Sequence, residues 1–271
     1  MRKINKKNNQ REEDFHNQWA NSVSINEIDV FAQFEGHTSP EYKEAVKQLG
    51  NIKGKKILNL GCGLGEEAVY LSIQGAKVTA LDISREMLEI TKKLAKKYGV
   101  NKKISFICMS AEKLKFNNET FDFVFGCNIL HHVDIKKTIS ETKRVLRSKG
   151  SAVFFEPLAY NPLINVYRIM ANKVRTDGEH PLKVKDLEKI KLFFPKMTHR
   201  ECQFFTLLIF VWFYLGERVH PKNQRYWKKI IIEAEKYKKA FKILYSVDEF
   251  VLRFLPFLKK YCWVTIIRVE K

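Results

Sequence analysis

Three glycines spaced two apart, Gly61, Gly63 and Gly65, follow the apolar run KILNL (56–60), and Glu66 comes next. A glycine turn lets the backbone approach a ligand closely, because no Cβ stands in the way. If a helix starts there, its unpaired N–H groups point at that ligand. The dinucleotide fingerprint places a third glycine five residues after the first. Here Glu66 holds that place, and a carboxylate would repel a pyrophosphate. No Lys-Ser/Thr pair completes a phosphate loop. Asp82, at the end of the next apolar run, can accept from both hydroxyls of a ribose. These residue types suit a nucleoside that carries no phosphates.

Those groups need a scaffold. The spacing predicts strands over 56–60, 76–81, 104–108, 121–125 and 151–155. Helices are predicted over 66–74, from a Ser84 cap to Gly99 with Met87, Leu88, Thr91, Leu94 and Ala95 on one face, and from Asp134 through Val145 and Leu146 to an end at Ser148-Lys149-Gly150. Alternating elements of this length predict an α/β fold with a doubly wound, mainly parallel sheet and ligands at the carboxyl ends of its strands. After Glu156 come an aromatic segment (160–174), a polar one (175–181), a helix (186–194), a sixth strand (197–205) and a last buried strand (261–269). Residues 1–50 read as a helical preface with Phe15, Trp19, Val23, Val30, Phe31 and Phe34 as its apolar positions. Ser39-Pro40-Glu41 starts a helix in it. The expected organisation is the preface, a core of 51–206 and 259–271, and a helical cap of 207–258 inserted before the last strand.

Composition is ordinary for a globular chain, at 45% apolar in 271 residues, but the net charge of +19 is not. From Tyr160 onward 23 Lys and Arg face 11 Asp and Glu. A basic surface suits nucleic acid, an anionic membrane or an acidic substrate, or decorates solvated faces with no partner. Five cysteines without CxxC spacing read as buried thiols of a reducing cytoplasm. The basic start runs into QREED rather than an apolar stretch, so no signal peptide is expected. The apolar run 204–215 falls short of the roughly 20 residues that span a bilayer.

Five stretches, in order and spacing, resemble the motifs of class I S-adenosylmethionine-dependent methyltransferases: ILNLGCGLGE (57–66), ALDIS (80–84), SAEKLKF (110–116), FDFVFGCNILHHV (121–133) and RVLRSKGSAVFFEP (144–157). The resemblance implies a seven-stranded Rossmann-like sheet, S-adenosylmethionine as methyl donor, S-adenosylhomocysteine as product, and no metal. It places Gly61, Cys62, Gly63 and Gly65 along the methionine portion, Asp82 on the ribose, Ile83 and Met87 about the adenine, Ala111 and Glu112 at its edge, and Asn128 under the sulfonium. Two positions depart from the family: Asn59 stands where an acid is usual and Ser110 where Asp is frequent. Asn59 still offers a hydrogen bond to the amino-acid end of the cofactor, while Ser110 weakens the contact to the adenine amine.

Transfer from a sulfonium is an in-line displacement, so the enzyme positions the acceptor and removes its proton where needed. His131 and His132 follow the fourth strand, and His132 is the first candidate base, with a cofactor-shell or capping role as the alternative. Glu156 at the end of the fifth strand is the second. Tyr160, Asn161, Arg168, Arg175 and His180 read as a polar wall for the substrate, or as a loop that closes the core. His16 and Trp19 could fold over the cofactor. The 207–258 insertion would surround a lipophilic acceptor, rest on an anionic membrane, or bury its faces on itself. The expected function is methylation, at O or C, of a small quinone-like, polyketide-like or lipid acceptor. The alternatives are an RNA or DNA methyltransferase and a non-catalytic cofactor-binding partner; the Asn/Asp-Pro-Pro-aromatic tetrapeptide of amino-group methylation is missing after Cys127.

Overall fold

A computed structural model describes residues 2–171, 175 and 179–271, with side chains from Gln10 onward. Seven strands form one sheet: β1 (Lys56–Leu60), β2 (Lys77–Asp82), β3 (Ile104–Cys108), β4 (Phe121–Cys127), β5 (Leu146–Pro157), β6 (Lys196–Cys202) and β7 (Val264–Glu270). Their order is β3-β2-β1-β4-β5-β7-β6, with β1 to β5 parallel and β7 antiparallel to both neighbours. Strand order reverses at β1, and the pairing of Leu60 with Leu81 and with Gly126 brings three strand ends to one crevice.

The central strands are buried on both faces, so they read as apolar runs. Side chains alternate between two cores: Ile57, Phe125 and Val153 join one, Leu58, Val124 and Phe154 the other. The first core is covered by α2 (Val30–Glu35), α3 (Pro40–Lys47), α4 (Glu66–Ile73) and α5 (Arg85–Lys97), the second by α6 (Ile135–Val145) and α8 (Val184–Phe193). Ser84 caps α5 by accepting from Met87 N at 3.0 Å, and Asp134 caps α6 from Lys137 N at 3.2 Å.

Several boundaries moved, the last strand among them, which starts at Val264 rather than 261. The fifth strand begins at Leu146, five residues earlier than its apolar run, because Phe121 pairs with Leu146 before the register shifts. The sixth ends at Cys202, where Gln203 turns the chain at φ 67°. α8 starts at Val184, with Asp186 Oδ2 accepting from Lys183 N. The preface is led by one long helix, α1 (Arg2–Ser22), and α7 (Pro162–Met170) follows β5.

The insertion before β7 holds α9 (Leu208–Leu215), α10 (Tyr226–Ile232) and α11 (Ala234–Phe254). Phe210, Phe213, Tyr226, Ile230, Tyr237 and Phe241 pack there with Ile164 as a third apolar cluster. One buried carboxylate ties this cap to the sheet. Asp248 of α11 accepts from Phe204 N, Phe205 N and Thr206 N and from the Thr206 hydroxyl, at 2.5–3.3 Å. All five cysteines are free thiols, Cys108 exposed and the others buried. Among the described residues no helix is long and apolar enough to cross a membrane.

Candidate functional site

A cavity of about 300 Å³ opens at the crevice of β1, β2 and β4, with α1 and the cap over it. Its floor is the glycine turn. Gly65 has φ 98°, and a Cβ there would lie 2.6 Å from Thr91 Cγ2, so the turn must be bare to pack on α5. The Thr91 hydroxyl donates to Gly63 O at 3.1 Å. Gly63 is the reverse case: a Cβ there would meet nothing within 4 Å, so bare backbone faces open room. That is the cradle a nucleoside needs.

Asp82 closes the floor. Its two oxygens accept from Gly63 N and Ser84 N, each at 2.9 Å, and each keeps a lone pair for a ribose hydroxyl. Burial raises its pKa, while the charge of His16 and the amides of Ser84, Gly63 and Ile83 pull it back. Ile83, Ser110, Ala111 and Asn128 also line the cavity, with Gly61 and Cys62. Asn128 takes a left-handed φ of 56° to turn out of β4.

Four of the cofactor residues expected from the motifs lie elsewhere. Gly65 packs on Thr91, and Met87 is fully buried on the inner face of α5, three residues after the Ser84 cap. Glu112 turns away to accept from Asp134 N at 2.9 Å. Asn59 is buried inside the sheet, donating to Phe125 O at 3.4 Å, and its Oδ1 has no protein partner among the described residues.

Sequence reasoning used Glu66 only to exclude a pyrophosphate and passed over Glu67 beside it. Glu66 and Glu67 both line the cavity at the start of α4. Burial, then the neighbouring Glu66, pushes Glu67 up to about 8. Burial also raises Glu66, against its own amide and the charge of Lys228. Gln33 Nε2 donates to Glu67 Oε1 at 3.2 Å. The usable signal was the Glu66-Glu67 doublet directly after the turn; Gln33 had none.

Both histidines reach the cavity, 4.1 Å apart at their ring centroids. His131 Nδ1 lies 2.7 Å from Glu156 Oε2, while Glu156 Oε1 accepts from Ile129 N and Leu130 N at 2.8 and 2.7 Å. Glu156 is fully buried behind the histidine, so it does not face the cavity as the sequence suggested. Burial raises it to about 7, against the amides of Leu130 and Ile129. Burial, and then the charges of His132 and nearby arginines, hold His131 well below 6.5. His132 differs: burial disfavours its charge, but Glu12, whose Oε2 lies 2.9 Å from its Nδ1, raises it on balance.

Glu12 comes from α1, as do Phe15, His16 and Trp19, so the preface does fold over the crevice. Asn17 locks it, accepting from the Ser84 hydroxyl at 2.6 Å. Glu12, His16 and His132 offer ligand atoms within 4.8 Å of one another. Glu12 Oε2 lies 2.9 Å from His132 Nδ1 and 3.9 Å from His16 Nδ1, so one carboxylate faces both rings.

The far wall is aromatic and cationic. Tyr167, Phe210 and Trp263 line it with Arg168, Arg175, Glu179 and Arg225. The Arg225 guanidinium lies 4.2 Å over the Trp19 ring, and Arg175 Nε donates to Glu179 at 2.7 Å. Burial, then the charge of Arg175, pushes Arg168 down to about 9. Three residues expected on this wall are not there. Tyr160 accepts from Val184 N, Asn161 caps α7 and donates to Tyr261 O, and His180 gives its backbone N–H to His131 O. Tyr160 and Asn161 brace helices, and the His180 backbone steadies the histidine loop. Residues 172–174 and 176–178 of the expected polar wall lie outside the described residues.

This geometry matches what comparison with known proteins returns. Residues 58–154 match the family model described as "Methyltransferase domain". A demethylmenaquinone methyltransferase of Chlorobaculum tepidum is 37% identical over 118 residues, 43% of this chain and 46% of that protein. A ubiquinone biosynthesis O-methyltransferase of Coxiella burnetii is 27% identical over 132 residues, 49% of this chain and 56% of the relative. The chain thus spans about half the length of these two relatives. An uncharacterized protein of Methanocaldococcus jannaschii is 28% identical over 180 residues, 65% of this chain and 72% of its own. Among solved structures, geranyl diphosphate C-methyltransferase from Streptomyces coelicolor A3(2) superposes with a TM-score of 0.58 at 11% identity, covering 85% of this chain and 77% of that one. The [4+2]-cyclase SpnF shares the fold at a TM-score of 0.54 and 17% identity, over 84% of this chain and 78% of its own. The chain has the fold of the class I S-adenosylmethionine-dependent methyltransferases, and its residues 58–154 match their methyltransferase domain. S-adenosylmethionine is the cofactor of that class. A cyclase shares the fold, so the fold alone does not define the reaction.

Proposed function

We propose that the protein transfers a methyl group from S-adenosylmethionine to oxygen or carbon of a small acceptor with an apolar body and an acidic or polar edge. The observation that carries this reading is one cavity bounded by the glycine turn and Asp82 at one end and by aromatic side chains with three arginines at the other. The named relatives act on quinone-type molecules, which supports such an acceptor. Asp82 would hold the ribose, Ile83 with Ser110 and Ala111 the adenine edge, and Glu66, Glu67 and Gln33 the ammonium of the amino-acid end. A bound sulfonium supplies the electrophilic methyl.

This chain's residues do the rest. Glu156 fixes His131 through Nδ1, which leaves Nε2 to take a proton from the acceptor. Its depressed pKa keeps the imidazole neutral at neutral pH, the form a base needs. His132, paired with Glu12, holds α1 over the site instead. Phe210, Tyr167 and Trp263 would shed water from the acceptor body, and Arg168, Arg175 and Arg225 would orient an anionic edge.

The test is to incubate the enzyme with labelled S-adenosylmethionine and a panel of hydroxyquinones, phenolic acids and prenylated phenols. Formation of S-adenosylhomocysteine and a labelled product with at least one of them supports the reading. Transfer to RNA or DNA alone would overturn it.

A further inference from the structure

α11 is apolar on two opposite faces. Tyr237, Phe241 and Leu252 point inward and are buried, as is Asp248. Ile243, Val247, Phe250 and Phe254 recur at four-, three- and four-residue spacing on the far side, each between 39 and 66% exposed. A helix whose only task was to roof the cavity would carry polar groups there. The stripe continues past the helix into Leu255 and Phe257, 42 and 64% exposed. The rings of Phe250 and Phe254 stand 4.9 Å apart, forming one patch rather than scattered residues. α9 repeats the pattern on a smaller scale, with Leu208, Trp212 and Leu215 exposed at four- and three-residue spacing. Contiguous apolar surface of this kind marks a place of contact.

The charge around the stripe identifies what it contacts. Between 234 and 260 there are seven Lys and Arg against three acids. Of those acids, Asp248 is buried beneath 204–206, Glu249 accepts from Arg200 at 2.9 Å, and Glu235 faces His37 and Lys238. Lys239 and Lys242 bracket the stripe at one end, Arg253, Lys259 and Lys260 at the other. If a second copy covered this face across a two-fold axis, cations would meet cations. An anionic lipid surface meets both needs, taking the apolar side chains at the acyl boundary and the lysines at the headgroups.

We propose that the outer face of the cap, centred on Phe250, Phe254 and Phe257, docks the enzyme on an anionic lipid bilayer. The same cap presents Phe241 of α11 and Phe210 of α9 to the cavity, so the docking face and the site are two sides of one layer. A lipophilic acceptor then has a short way from the bilayer to the transfer site. Docking itself does not depend on the identity of the acceptor.

The experiment is flotation of the full chain with phosphatidylcholine vesicles, with and without phosphatidylglycerol. Two double variants are compared with the parent, Phe250→Ser with Phe254→Ser, and Lys259→Glu with Lys260→Glu. The parent is expected to float with the phosphatidylglycerol vesicles and much less with phosphatidylcholine alone. Each double variant should lose roughly tenfold in apparent vesicle affinity, with S-adenosylmethionine binding unchanged. If the phenylalanine variant does not fold, the lysine variant still decides. No flotation of the parent, or flotation indifferent to the lysine variant, overturns the proposal. So does a parent dimer that the phenylalanine variant turns into a monomer. Because cofactor binding is read in the same samples, failure of docking is distinguishable from failure of the methyltransferase reading.

Discussion

The two ends of the cavity are built in different ways. At the cofactor end the backbone does the holding: a glycine turn, a strand-end aspartate bonded to two amides, and a helix start carrying two acids, all within 61–82. Among the described residues the acceptor end has no comparable backbone cradle. Side chains arrive from α1, α7, α9 and α11 and from the residues before α10, and one buried carboxylate, Asp248, keeps much of that assembly on the sheet. A backbone cradle constrains a ligand that does not change. A side-chain wall can be re-cut for another acceptor without disturbing the donor site.

Four predictions would break or sharpen that contrast, the largest effect first. Gly65→Ala forces a Cβ to 2.6 Å from Thr91 at φ 98°. Strain and overpacking together should cost about 3 kcal/mol or more, seen as a lower denaturation midpoint with loss of S-adenosylmethionine binding. Asp248→Ala leaves the amides of Phe204 and Thr206 without their acceptor. It should cost about 2–4 kcal/mol and abolish turnover, while the cofactor still binds within a few fold. Loss of cofactor affinity equal to that of the first variant would show that the two ends are not separable.

His131→Asn should lower kcat on the order of a hundredfold at unchanged cofactor affinity, with Glu156→Gln lowering it less. Unchanged turnover in the first would remove His131 as base and return the role to His132. The smallest effect is a pH dependence. His132 has a raised pKa, so its pairing with Glu12 is fully present below about 6.5 and is lost as pH rises through the raised value. α1 should therefore loosen on the alkaline side, read as a change in Trp19 fluorescence that His132→Gln flattens. An identical profile in that variant would assign the transition elsewhere.

The cofactor end was also the legible end. KILNLGCGLGE, Asp82 and the Ser84 cap are local patterns, and strand, turn and helix follow from them within a few residues. Where sequence placed a residue wrongly, a local rule had been passed over. Asn161-Pro162 is a helix start, so Asn161 was committed to α7 before it could contact a substrate. Met87 lies at the third position after its cap, on the face that α5 buries. The acceptor end was opaque for a different reason. Trp19, Tyr167 and Arg225 come to one wall only through tertiary packing, and no spacing in the chain announces it. The helix over 234–254 is apolar on two faces, so its pattern alone does not say which of them turns inward.

The most direct measurement is a calorimetric titration of the purified chain with S-adenosylhomocysteine, beside Asp82→Ala. Saturable binding at one site per chain is expected, weakened at least roughly tenfold in the variant through the lost hydrogen bonds. No binding by the parent, or equal affinity in the variant, would contradict it.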